Sequence, residues 1–287
     1  MNRKTEKAFY CIICNGEKYK LIYNNTLKHC ETCGFITANI EVGYEELKRI
    51  YNRNYFLGEE YLDYLADKPA LQKNFTQRLS SIEENTHEEM EALEIGCAYG
   101  FFGEVFIKKF ENATYTGLDI VLDAVNYGRQ NFGLNLIMQD YLTYISGRKY
   151  THIFMWDVIE HLPRPDKFIE KISEETETGS ELYITTGDIG AFLPKIQGQN
   201  WRMIHPPTHL HYFSKKTLTL LLEKNNFEVK SIVYKPVFRS VKQIFFSLFL
   251  LGKPASRLRN KLFEKIPEKW SIPLNTYDIM YCTAVRK

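Results

Sequence analysis

The 287-residue chain is 44% hydrophobic and 25% charged, with a formal net charge of +2, an ordinary globular balance on enough chain for a full α/β core. That charge excludes the global positive field of a general nucleic-acid binder. The longest apolar-rich run, Ile244 to Leu251, is too short to span a bilayer, which takes ~20 residues, and MNRKTEKAFYCIIC at the N-terminus lacks the apolar stretch of a signal peptide. A cytoplasmic, reducing setting is therefore expected.

Residues 1–40 hold two cysteine pairs, Cys11-Ile-Ile-Cys14 and Cys30-Glu-Thr-Cys33, each followed by turn residues, Asn15-Gly16 and Gly34. Cys97 and Cys282 stand alone. In a reducing compartment paired cysteines at this spacing read as metal ligands. Two such knuckles can place four thiolates in a tetrahedron around Zn²⁺, with no open position, so the site is expected to be structural. The alternative, four unrelated buried thiols, does not account for the repeated spacing. Residues 41–89 read as a helical cap, YEELKRIYNRNYF followed by ALQKNFTQRLSSIEE.

From residue 90 onward strand-like and helix-like segments alternate. MEALEI is a strand running into a glycine-bearing turn, FFGEVFIKKF a helix, TYTGLD a strand, VLDAVNYGRQNF a helix and LNLIMQD a strand. YTHIFMWDV is a strand without alternation, as expected when both faces are buried. DKFIEKISEET is a helix, SELYITTG a strand, KKTLTLLLEKNN a helix and FEVKSIVYK a strand. Residues 236–270 interrupt the pattern, and YDIMYCTAVRK closes it with a strand. Strands alternating with helices imply βαβ units and a parallel sheet. The expected organisation is a knuckle at 1–40, a cap at 41–89 and an α/β core at 90–287 with a helical insertion at 236–270.

The most informative stretch is Leu93-Glu94-Ile95-Gly96-Cys97-Ala98-Tyr99-Gly100-Phe101-Phe102-Gly103. A strand ends in an acidic residue and a small-residue turn, and a helix begins. Glycines let the backbone approach a ligand closely, and the new helix presents free N–H groups. Asp119 closes the next strand, where a carboxylate can accept from ribose hydroxyls. Asp140 closes the third and Asp157 the fourth. For any one of these carboxylates the plain alternative is a helix cap or a turn residue.

The ordered set LEIGCAYG, YTGLD, MQDYL and FMWDVIEHL resembles the motifs of class I S-adenosylmethionine-dependent methyltransferases across residues 90–287. The resemblance implies a Rossmann-like, seven-stranded, mostly parallel sheet with an antiparallel last strand. It further implies S-adenosyl-L-methionine as cofactor, held by Glu94, Gly96, Cys97, Ala98, Tyr99, Gly100, Phe102, Asp119, Ile120, Asp140, Tyr141, Asp157 and Val158. Ala98 stands where many members have glycine, and G-x-A-x-G differs from the G-x-G-x-x-G of dinucleotide dehydrogenases. N-terminal zinc segments occur both in sugar-modifying and in ribosomal RNA methyltransferases, so the knuckle does not choose the substrate.

A hydroxyl acceptor, or a carbon beside a carbonyl, needs a base, and histidine suits that role near neutral pH. Glu160 and His161 lie in WDVIEHLP, and His205, His209 and His211 in WRMIHPPTHLHYFS, after the fifth strand at the carboxyl edge where ligands bind in open sheets. The latter segment resembles the H-L-x-Y-F-S of class I enzymes acting on sugars. In that resemblance His209 matches the base of some sugar C-methyltransferases, while Thr208 and Pro206 replace the neighbouring acid and tyrosine. The alternative for His209 is a packing or capping histidine, and for Glu160-His161 a loop-orienting pair. His209, His211 and Phe213 are spaced to share one face of an extended segment. Tyr55, Phe56 and Tyr61 are candidates for covering the cofactor, or for packing.

Residues 236–270 carry eight basic residues against two acids, Glu264 and Glu268, with apolar positions at helical spacing. They read as a lid over the core or as an amphipathic surface for an anionic membrane or lipid-linked substrate. The expected function is methylation of a small-molecule acceptor, by resemblance a nucleotide sugar or a polysaccharide or lipid-linked glycan precursor, at oxygen or carbon. The rivals are an RNA methyltransferase gripping RNA through the knuckle, a quinone or polyprenyl methyltransferase, and a scaffold without catalysis. Nucleic acid is the weaker partner, because residues 1–40 carry only a modest basic excess. The expected location is cytoplasmic, with peripheral contact at the inner face of a membrane if 236–270 is such a surface.

Overall fold

The computed structural model describes residues 10–40, 49–50, 64–80, 82, 90–249 and 256–287. Tyr55, Phe56, Tyr61 and most of the expected cap lie outside them. In chain order the elements begin with strands β1 (Tyr19–Ile22), β2 (Leu27–Cys30) and β3 (Ile36–Ala38), then helix α1 (Lys68–Leu79). There follow β4 (Glu91–Ile95), α2 (Phe101–Lys109), β5 (Thr114–Asp119), α3 (Leu122–Phe132), β6 (Leu136–Met138), β7 (His152–Trp156), α4 (Pro165–Glu175) and β8 (Glu181–Gly187). The chain then forms α5 (Phe192–Gln197), β9 (His211–Tyr212), α6 (Lys215–Lys224), β10 (Phe227–Val233), β11 (Val237–Ser240), α7 (Val241–Phe249), α8 (Arg257–Lys265), β12 (Ser271–Leu274) and β13 (Ile279–Arg286). The seven strands β4–β8, β10 and β13 make one mixed sheet in which β13 runs antiparallel to both its neighbours. This is the Rossmann-like α/β class expected. Among the described residues no helix is long and apolar enough to cross a membrane.

The chain divides into two compact units. The first comprises Met1–Leu47, Tyr141–Tyr234 and Tyr277–Lys287. Its strands run in the order β10-β13-β8-β7, with β7 parallel to β8. All five residues of β7 are buried, which is why its sequence shows no alternation. Helix α6 starts from a capping box between Ser214 and Thr217, satisfying two otherwise unpaired donors. It turns Leu218, Leu221 and Leu222 inward, all fully buried. In the same unit β1, β2 and β3 form an antiparallel sheet whose fourth strand is β9, with Ile36 opposite Tyr212 and Thr37 opposite His211. Leu27, Ile36, Ala38, Trp201 and Tyr212 form its core. The cysteine segment is thereby built into the same sheet as the histidine-rich one.

The second unit comprises Lys48–Asp140 and Lys235–Thr276. Its strands run β4-β5-β6, all parallel. Phe101, Phe102 and Phe106 on α2, Leu93 on β4 and Leu118 on β5 are all fully buried, each such side chain contributing roughly 1.5–3 kcal/mol. The insertion expected to be helical is only partly so: α7 and α8 are framed by β11 and β12, which pair as a two-stranded ribbon. Val237-Phe238-Arg239-Ser240 and Ser271-Ile272-Pro273-Leu274 are short enough that helical spacing and strand alternation both fit, and the pairing decides.

Candidate active site

In the second unit β4 delivers the chain into the turn Gly96–Gly100. The amides of Gly96 and Cys97 donate to Leu118 O at 2.8 and 3.0 Å, tying the turn to the end of β5. Ala98 takes φ 46° and Gly100 φ 76°. In this left-handed region a side chain costs ~1–2 kcal/mol, so Ala98 carries strain that a glycine there would not. Gly100 caps α2, whose first amides face outward from the turn and favour an anionic or carbonyl group. Asp119 accepts from Ala98 N at 2.8 Å and from Val121 N at 2.9 Å, one amide on each oxygen. Each oxygen keeps a further lone pair for a ligand hydroxyl. Burial raises this carboxyl above its ordinary range, against the pull of the Val121, Ala98 and Ile120 amides.

Several residues expected at the cofactor have buried side chains. The Glu94 carboxyl is sealed inside, receives the Tyr115 hydroxyl, and is pushed up by burial to about 8. The Cys97 thiol packs where a side chain on Gly117 would stand, 2.9 Å away, and burial raises it well above its ordinary value. Tyr99 stacks with Tyr64 and Phe101, and Phe102 packs between Phe75 and Phe106. Tyr141 donates to Glu175 Oε2 at 2.8 Å and lies on Phe168 in the first unit. All five of these side chains are buried. Ile120, Asp140, Asp157 and Val158 are half-buried beyond strand ends, and Asp157 has φ 56°.

In the first unit the histidines converge. His161 Nδ1 donates to Thr208 O at 2.8 Å. His209 Nδ1 donates to Met203 O at 2.9 Å. The His209 ring lies 4.5 Å from that of His161 and 3.8 Å from that of His205, centre to centre. Because carbonyl oxygens only accept, neutral His161 and His209 carry their protons on Nδ1, which leaves Nε2 unprotonated. Burial lowers His161 to about 4. It lowers His209 further, with His161 and His205 adding to the effect, so both rings are neutral at pH 7. Glu160, His161 and His209 bring one ligand-type atom each to within 4.8 Å of one another. The Glu160 carbonyl accepts from Leu210 N and His211 N at 2.9 and 3.0 Å, which holds the two segments together.

His211 does not join them. It stacks on Phe35 at 5.5 Å, with Nδ1 3.1 Å from Thr37 Oγ1. Only His211 and Phe213 share the expected face, on Phe35, so the His211 ring packs within the sheet of β1, β2, β3 and β9.

Two buried acids escaped the sequence reading. Asp278, fully buried, takes Trp201 Nε1 at 2.8 Å and a forked Arg202 guanidinium. Asp188, 2% exposed, takes Gly190 N at 2.7 Å and Tyr234 Oη at 2.5 Å. Together they anchor the 188–205 loop that leads to the histidines. Asp188 directly follows a strand, a signal that was legible, whereas Asp278 offered none.

The four knuckle thiols lie within 4.8 Å of one another, with Cys11–Cys33 and Cys14–Cys30 both at 3.6 Å. A tetrahedral Zn–S distance of ~2.3 Å implies sulfur separations of roughly 3.8 Å, so the donor set fits such an ion. Asn15 and Gly34 turn the chain with φ 58° and 86°. For Cys30 burial is outweighed by the amides of Cys33 and Thr32 and the thiols of Cys14 and Cys33, which bring it down to about 7.

A methyltransferase-domain family profile matches residues 60–232. A malonyl-[acyl-carrier protein] O-methyltransferase of Ilyobacter polytropus is 32% identical over 111 residues, 37% of this chain and 42% of that protein. A mitochondrial ubiquinone biosynthesis O-methyltransferase of Arabidopsis thaliana is 24% identical over 187 residues, 59% of this chain and 57% of that one. Matches therefore span 42% and 57% of these relatives. The crystal structure of magnesium protoporphyrin IX methyltransferase from Synechocystis PCC 6803 with bound SAH shares the fold, with a TM-score of 0.53 and 13% identity over 85% of this chain and 100% of that one.

Proposed function

Since the chain belongs to the methyltransferase-domain family, we propose that it transfers the methyl group of S-adenosylmethionine to a small-molecule oxygen or carbon acceptor. The observation that carries this reading is the Gly96–Gly100 turn tied by two amides to Leu118, with Asp119 holding Ala98 and Val121. The cofactor supplies both the electrophilic methyl and its leaving group. What the chain supplies is placement and proton handling. The Asp119 oxygens have spare lone pairs for ribose hydroxyls, and the backbone at Ala98–Gly100 offers close approach. His209, fixed by Met203, accepts the proton that the acceptor releases at its bare Nε2. Burial keeps it neutral at pH 7 while weakening it as a base, and His161 and His205 position it. Glu160 offsets the charge that arrives.

The acceptor we favour is a sugar in a nucleotide-linked or lipid-linked precursor, supported by the His-Leu-His-Tyr-Phe-Ser segment at 209–214. The relatives are named for a malonyl-[acyl-carrier protein] and for ubiquinone biosynthesis, so acyl-carrier thioesters and quinols belong in the same screen. The four knuckle cysteines would hold a structural Zn²⁺, which takes no part in the transfer.

Calorimetric titration with S-adenosylmethionine and S-adenosylhomocysteine, with NAD as control, is expected to give micromolar binding for the first two alone. Asp119→Ala should weaken it at least about tenfold through lost charge-assisted hydrogen bonds, and His209→Ala should spare binding while abolishing turnover on the acceptor that the screen finds. No binding by folded, zinc-loaded protein would remove the reading, and full turnover by His209→Ala would remove the base.

A further inference from the structure

The insertion within the second unit has an outer surface that methyl transfer does not use. On the β11–β12 ribbon Ser240 faces Ser271 and Phe238 faces Pro273, so these four side chains share one face. That face lies on α1: Lys73 Nζ donates to Ser271 Oγ at 2.8 Å and sits 5.7 Å from the Phe238 ring centre. The alternation then sends Ile272 and Leu274 to the opposite face, with Trp270 continuing the period. These three are 56%, 43% and 38% exposed in the order Trp270, Ile272, Leu274, an apolar stripe in water. Helix α8 leads into this stripe along the chain. Phe263 turns inward onto Phe245 and Phe246 at 6.4 and 6.1 Å. The far arc of the helix is exposed and carries Arg257, Lys261, Leu262 and Lys265 with one acid, Glu264. Lys269 is exposed beside Trp270, while Glu268, one of the two acids here, is already held by Lys242 at 3.2 Å.

We propose that this surface docks peripherally on an anionic lipid bilayer, with Trp270, Ile272 and Leu274 entering the headgroup boundary and the lysines meeting lipid phosphates. Tryptophan is favoured where an apolar layer meets water, and basic side chains beside it complement an anionic leaflet. A protein partner fits less well, because lysine is depleted from protein–protein interfaces. This inference stands apart from the methyl-transfer reading, since cofactor titration and lipid binding are separate measurements.

The test uses the whole chain and sedimentation with phosphatidylcholine vesicles, with and without phosphatidylglycerol. Trp156 and Trp201 are 6% and 2% exposed, so blue-shifted emission and quenching by brominated lipid report on Trp270. We expect binding only to the anionic vesicles, weakened by salt, with a blue shift. The combined change Lys261→Glu, Lys265→Glu and Lys269→Glu should reduce it about tenfold or more with unchanged cofactor affinity and circular dichroism. Trp270→Ser should remove the blue shift and weaken binding. Equal binding to neutral vesicles, no binding at low salt, or charge reversal without effect would each overturn the proposal.

Discussion

Burial decides what each titratable side chain does here. Glu94 and Asp119 are acids at the ends of neighbouring strands, yet only Asp119 keeps lone pairs toward a ligand-facing turn, while Glu94 is spent on Tyr115. Glu94 titrates at about 8 in the fold against an ordinary 4.5. A raised carboxyl binds its proton more tightly folded than unfolded. Its stabilising effect is therefore full below pH 4.5 and is lost as the pH rises through 8. Glu94→Gln keeps an acceptor for Tyr115 without the charge. The difference in urea-unfolding free energy between variant and parent should thus grow in the variant's favour from pH 5 to pH 8, by on the order of a few kcal/mol. A difference that does not change with pH would show that Glu94 is not held protonated.

At the scale of elements, the Gly96–Gly100 turn depends on a helix that starts from a left-handed residue. A Cβ at Gly100 would stand 2.9 Å from Leu134 Cδ1 and 3.1 Å from Leu136 Cδ1, at φ +76°. Gly133, which ends α3 at φ +65°, would meet nothing within 4 Å. Both substitutions to alanine carry the left-handed penalty of ~1–2 kcal/mol. Gly100→Ala adds the displacement of two leucines and of the turn itself. Thermal unfolding should therefore show both variants destabilised and Gly100→Ala the more so, and only Gly100→Ala should weaken S-adenosylmethionine in calorimetry. Equal cofactor affinity in the two would mean that the turn is not the binding element. The β11–β12 ribbon shows the opposite situation, because four-residue strands carry too little pattern to be told from helix before a partner strand is known.

At the scale of the whole molecule, the N-terminal segment and the histidine segment are one construction, since β3 pairs with β9 and Trp201 sits in the core they share. A metal held by the four thiols would then support the loop that carries His209. Purified protein is expected to contain about one equivalent of zinc by elemental analysis. Stripping it with a chelator should lower the melting temperature and the turnover together, because binding energy at such a site is folding energy. Metal-free protein with unchanged melting and turnover would leave the thiols as packing groups.

The alternation of strands and helices, the C-x2-C pairs, the Gly96–Gly100 turn and the acid at 119 were all legible in the chain. They are set by periodicity and spacing, which are local. The antiparallel last strand and the placement of Asp119 followed from resemblance and from chain order. What the tertiary structure alone decided is which candidates meet. His161, His205 and His209 converge while His211 joins Phe35, and Glu94, Tyr99, Phe102 and Tyr141 are drawn into cores. Asp188 and Asp278 become anchors of a loop. Each outcome depends on contacts between residues far apart in the chain, where desolvation and packing set a side chain's direction, its proton and its partner, and no local pattern records them.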